Sequence, residues 1–107
     1  MALDPHDLAE KVSGLASRVN NLAALHTGGH SRTLQDQQER LEKLTLAAIA
    51  MDLDASTQQY KDAVAALDKA TNTIGDADEA LGNISKVIGF VAKAADLVEA
   101  VVKAAAK

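Results

Sequence analysis

Apolar positions recur along most of this chain at alternating steps of three and four. In the first third, Leu8, Val12, Leu15, Val19 and Leu22 follow one another this way, with Leu3 and Leu25 at the margins. That spacing holds a single apolar stripe on one side of an α-helix. Asp4 can cap the start, Pro5 suits the first helical position, and Asp7 favours the positive end of the helix dipole. Gly28 and Gly29 supply a stop. The pattern predicts a helix over about residues 4–27.

A second run opens after this loop, where Ser31 or Thr33 can cap it. Leu34, Leu41, Leu44, Ala48 and Met51 form its first stripe. A second stripe starts at Leu46 and Ile49 and continues through Leu53, Tyr60, Ala63, Leu67 and Ala70. Where the two overlap, residues 45–50 are apolar nearly all round and are expected to be buried on more than one side. The second stripe enters Ile74 in phase, so residues 46–105 read as one heptad frame weakened only at Ser56.

Two expectations compete around residues 71–79. Unbroken phase favours a continuous helix. The sequence Thr71-Asn72-Thr73-Ile74-Gly75-Asp76 favours a turn, with Asp76 capping a last helix and Glu79 closing a capping box. A continuous helix from Thr33 onward would be a rod of roughly 110 Å at 1.5 Å per residue. One small chain could not cover it, so a break is the expectation. The reading is an all-α fold: a single domain over residues 1–107, a hairpin or bundle of three long helices at about 4–27, 32–72 and 76–106 with coiled-coil-like packing.

The last of these helices has an unusual profile. Its seam is Ile74, Ala77, Leu81, Ile84, Ile88, Val91, Ala95, Val98, Val102 and Ala105. Val87, Phe90, Ala94, Leu97, Val101 and Ala104 widen the apolar face beyond half the circumference. A two-stranded coiled coil needs only a narrow seam. A wider face implies contact with at least two neighbours, or a place in a membrane interface. Gly75, Gly82 and Gly89 lie seven apart. They either face outward and soften the helix or form a smooth track for a closely approaching helix.

Composition narrows the function. Tyr60 and Phe90 are the only aromatics apart from histidine, so the interior must be assembled from Leu, Val, Ile and Ala. There is no Cys, which removes disulfides, thiolate metal sites and Cys nucleophiles. Net charge is −4. Residues 84–107 carry four lysines against two carboxylates, while the remainder carries seven basic and thirteen acidic side chains. Such an acidic body argues against nucleic acid as a partner. A basic end beside an acidic body permits head-to-tail or antiparallel association, and a weak preference for anionic membrane surfaces.

Candidate chemistry is sparse. His26 and His30 flank two glycines and read as a solvated loop pair, and His6 as an exposed residue of the first helical turn. Asp52 and Asp54, and Asp76, Asp78 and Glu79, read as helix-start or surface carboxylates, lacking the offsets of a calcium loop. Arg32 offers a weak anion signal near a helix start. No catalytic, cofactor-binding or metal-binding set is expected, and the chain is not expected to be an enzyme.

The function expected is therefore a non-catalytic helical assembly or protein-interaction module, self-associating or meeting a helical partner through the C-terminal helix. The interaction residues are Ile84, Val87, Ile88, Phe90, Val91, Leu97, Val98 and Val101. The alternative is a membrane-active amphipathic protein, a surface binder or small pore-former, that releases the same helix onto lipid. Met1 to Glu10 is acidic and does not read as a signal peptide, which makes the cytoplasm the default expectation.

Overall fold

A computed structural model describes residues 7–25, 29–50, 53, 55–74 and 84–105. Among the described residues there are four helices and no strand: α1 (Asp7–Leu25), α2 (Gly29–Ala50), α3 (Gln58–Ile74) and α4 (Ile84–Ala105). The fold is all-α, with four helices where the pattern predicted three. The expected helix at 32–72 is in fact two helices separated by a turn at residues 55–57, so the continuous rod is excluded. The predicted break at 72–76 falls partly outside the described residues; α3 reaches Ile74 and α4 is described from Ile84.

Local chemistry accounts for the turn. Thr57 Oγ1 accepts a hydrogen bond from the backbone N–H of Tyr60 at 3.2 Å, and Lys61 N–H donates to the Thr57 carbonyl at 3.2 Å. Thr57 is thus the N-cap of α3, satisfying a donor that the helix start leaves without an intrahelical partner.

α1 and α2 form one hairpin and α3 and α4 another, stacked so that α1 packs on α3 and α2 on α4. Side-chain bonds fix the directions. Leu8 meets Tyr60 while Lys11 meets Asp68, further along both helices, so α1 and α3 run the same way. Gln37 meets Ile88 while Arg40 meets Asp96 and Glu99, so α2 and α4 also run together. The first hairpin is tied by Ser31, whose Oγ donates to the Ala23 carbonyl at 3.1 Å. That carbonyl is among the last four of α1, which no intrahelical N–H reaches. Ser31 was expected to cap α2; because α2 begins at Gly29, it lies within the first turn and closes α1 instead.

One hydrophobic cluster joins all four helices. Leu8, Val12, Leu15, Val19 and Leu22 of α1 are buried as their spacing predicts. So are Ala9, Ala16 and Ala23, a second row of small residues seven apart. Leu34, Leu41, Leu44 and Ala48 bury the first stripe of α2, and Tyr60, Ala63, Leu67, Ala70 and Ile74 that of α3. No polar or charged residue among those described is buried. The molecule measures 39 × 25 × 17 Å, so its long axis is little more than one 22-residue helix.

Residues 45–50 are not buried on more than one side. Leu46 is 69% exposed and Ile49 57% exposed, while Ala48 is buried. Once α2 ends at Ala50 and the chain turns, the stripe containing Leu46 and Ile49 no longer shares an axis with Tyr60 and Leu67. It points outward.

In α4 the centre of the buried face is Val87, Val91, Ala94, Val98 and Val101. Ile88 and Val102, on the expected seam, are only half-buried. The broad face has its predicted cause: α4 touches two neighbours, α3 and α2. Gly89 lies on the exposed side, and a Cβ built there meets nothing within 4 Å. Among the described residues, no helix therefore approaches closely at Gly89. Gly75 and Gly82 lie outside the described residues. No helix among the described residues is long and apolar enough to cross a membrane.

Candidate functional site

The eight residues of the C-terminal helix separate into two groups. Ile84, Val87, Val91, Val98 and Val101 are buried in the chain's own core. Ile88, Phe90 and Leu97 are half-buried and pack against that core from its edge. Only this second group presents apolar surface while the bundle stays closed.

Phe90 and Leu97 come together with α3 around an open groove of about 400 Å³. Its α3 wall is Ala65 and Ala66, whose short side chains leave the space unfilled, with Asp62 and Lys69 on the rim. Lys93 closes the α4 side. The ammonium group of Lys69 stands over the Phe90 ring, 4.8 Å from its centre, and that of Lys86 at 5.9 Å. Both lie within the range where a cation is attracted to the negative face of an aromatic ring.

The charges around this groove are unevenly matched. Three cations elsewhere in the bundle are paired: Lys11 with Asp68 at 2.6 Å, Arg40 with Asp96 at 2.8 Å and Glu99 at 2.6 Å, and Lys103 with Glu99 at 3.0 Å, while Arg18, Arg32, Lys43 and Lys61 make no ion pair among the described residues. Among the described residues, Lys69, Lys86 and Lys93 make no ion pair with a carboxylate. The groove combines an apolar floor with a rim on which two lysines, Lys69 and Lys93, outnumber one carboxylate, Asp62.

A second groove, of about 450 Å³, runs between α1 and α2. Its walls are mostly polar, including Ser13, Ser17, Asn20, Gln38 and Glu42, with Leu46 at its edge. It lacks the aromatic floor of the first.

The Arg40 cluster shifts two ionisable groups. The hydrogen bond to Asp96 is the main cause holding the Arg40 guanidinium above its ordinary value, partial burial opposing it. The hydrogen bond from Arg40, and next that from Lys103, hold the Glu99 carboxyl below the usual carboxylate range. This cluster clamps α2 to α4.

Sequence reasoning missed the α3 half of the groove. Asp62, Ala65, Ala66 and Lys69 flank the stripe of Tyr60, Ala63, Leu67 and Ala70 on its outward side. A helix wheel centred on that stripe places them together, but nothing in the spacing says that α4 lies beside them. Among the described residues no three His, Asp or Glu side chains are grouped to hold a metal ion. His26, His6, Asp52, Asp54, Asp76, Asp78 and Glu79 lie outside the described residues, as does the side chain of His30. No protein-family model, curated protein or solved structure matches the chain.

Proposed function

We propose that this protein is a non-catalytic helical interaction module that associates with further copies of itself through the groove between α3 and α4. The observation that carries this reading is the groove itself: Phe90 and Leu97 half-exposed along it, Lys69 and Lys93 lining it and Lys86 near the Phe90 ring, none of the three lysines in an ion pair among the described residues. An apolar trough with polar rims is the surface an amphipathic helix uses, laying anchors at helical spacing into the floor and matching charge at the edges. The buried residues of α4 supply rigidity to that surface. They hold the ring of Phe90 at the edge of the bundle and keep the trough open.

The membrane-active alternative requires α4 to leave the bundle. That would carry Val87, Val91, Ala94, Val98 and Val101 out of the core, each large side chain costing roughly 1.5–3 kcal/mol of burial before any lipid contact returns it. No specific observation favours it.

Ala65 is exposed and lines the groove, so Ala65→Arg fills the space and adds a like charge without entering the core. In sedimentation velocity the wild type is expected to run above the single-chain mass at tens of micromolar, and Ala65→Arg to return it to one chain with unchanged helical circular dichroism. A wild type that runs as one chain, or an assembly indifferent to Ala65→Arg, would remove the reading.

A further inference from the structure

We infer that the groove between α3 and α4 is occupied by the outward stripe of α2 from a second copy. This inference rests on the module reading above and names its partner surface. Glu39, Glu42, Leu46 and Ile49 follow one another at steps of three, four and three, and all four are exposed. They form a single stripe whose C-terminal half is apolar and whose N-terminal half is acidic. Leu46 and Ile49 are the large hydrophobics most exposed among the described residues, at 69% and 57%.

Three properties of the stripe match the groove. The charges are opposite: Glu39 and Glu42 have no ion pair among the described residues, and neither do Lys69, Lys86 and Lys93. Glu42 accepts only a neutral hydrogen bond, from Gln38 at 3.1 Å. Beside these, Lys43 flanks the stripe and Asp62 rims the groove, a further pair of the reversed sense. The apolar parts also match, two aliphatic anchors against Phe90 and Leu97. The lengths agree: Glu39 to Ile49 spans about 15 Å of helix and Lys86 to Leu97 about 16 Å.

A copy cannot fill its own groove. The stripe belongs to the α1–α2 hairpin and the groove to the α3–α4 hairpin, and α2 is fixed to α4 by Gln37 and Arg40 on another side. The contact joins two different surfaces, so it is heterologous. Each copy bound leaves one stripe and one groove unfilled, and growth continues unless a ring closes.

The test reverses charge on each surface separately. One variant carries Lys69→Glu and Lys93→Glu, the other Glu39→Lys and Glu42→Lys. Every position is exposed, and circular dichroism checks that both remain folded. In sedimentation velocity each variant alone is expected to associate at least tenfold more weakly than the wild type. An equimolar mixture is expected to regain assembly, because the basic stripe of one now meets the acidic groove of the other. If Ala65→Arg dissociates the assembly while the stripe reversal leaves it intact, the groove is used but by another occupant, and this inference alone fails. If the wild type remains one chain at all concentrations, both this inference and the module reading fail.

Discussion

The hydroxyl of Tyr60 accepts a hydrogen bond from the backbone N–H of Leu8 at 3.0 Å, with both side chains fully buried. Leu8 is the second residue of α1, and its N–H is one of the four that a helix start cannot satisfy internally. The one tyrosine of the chain therefore does two things. Its ring fills the space between α1 and α3, and its oxygen caps α1 from 52 residues away.

Tyr60→Phe keeps the ring and removes the acceptor. The Leu8 N–H is then left buried without it, at a cost of about 1–2 kcal/mol. Urea unfolding should show this loss with an unchanged slope. A variant as stable as the wild type would mean that the bond contributes nothing net.

The cap on α3 makes a parallel prediction. Thr57→Ala removes the oxygen that accepts from Tyr60 N–H, and loss of such a cap costs about 1 kcal/mol. Thr57→Asp supplies an equivalent acceptor and should retain most of the stability. Equal losses in both variants would assign the effect to something other than capping.

Thr57 also explains what could be read in the sequence and what could not. The stripe of α1 and the breadth of α4 were legible, because each depends on spacing within one helix. The break at residues 55–57 was not. It has neither Gly nor Pro, and the intervals Ile49, Leu53, Ser56, Tyr60 preserve the heptad count across it. Phase counts residues, not turns of a continuous helix, so a connection of suitable length passes unnoticed. The better signal was the cluster Asp52, Asp54, Ser56 and Thr57, side chains that compete for backbone donors and favour helix starts. The groove was half legible: Phe90 and Leu97 stood out on α4, while its α3 wall depended on which helices became neighbours.

The outward placement of Leu46 and Ile49 has a consequence for stability distinct from assembly. Replacing both by Gln in a dilute sample should change the folding free energy by less than about 0.5 kcal/mol per site, as at ordinary surface positions. Leu41→Ala, earlier on the same helix but fully buried, should cost about 2–5 kcal/mol. Comparable losses at the two places would restore residues 45–50 to the core.

Gln37 holds an imperfect position between α2 and α4. Its Nε2 donates to the Ile88 carbonyl at 2.9 Å, but its Oε1 is buried with no donor among the described residues. An orphaned buried acceptor costs about 1–3 kcal/mol, while a neutral hydrogen bond returns about 0.5–1.5 kcal/mol. Gln37→Met, which keeps the volume and removes both polar atoms, should be neutral or stabilise by up to about 1 kcal/mol. Thermal melting of the two chains side by side tests the sign; a clear loss would show that the Ile88 bond outweighs the orphan.

Arg40 joins the same two helices by charge, bonding Asp96 and Glu99 across the interface. The guanidinium, and after it Lys103, hold the Glu99 carboxyl below its ordinary range. A carboxyl whose folded value is lowered binds its proton more weakly in the native chain than in the unfolded one. Its contribution is therefore fully present above the unfolded value and disappears as pH falls through the folded one. Arg40→Gln should lower stability at neutral pH and converge on the wild type in acid, once Glu99 is protonated in both states. The groups are more than a third exposed, so the difference should be small and should shrink with added salt. Urea midpoints of the two chains from pH 7 down to pH 3, at low and high salt, measure it. A gap that stays constant through the acid range would assign the role of Arg40 to packing of its stem rather than to its charge.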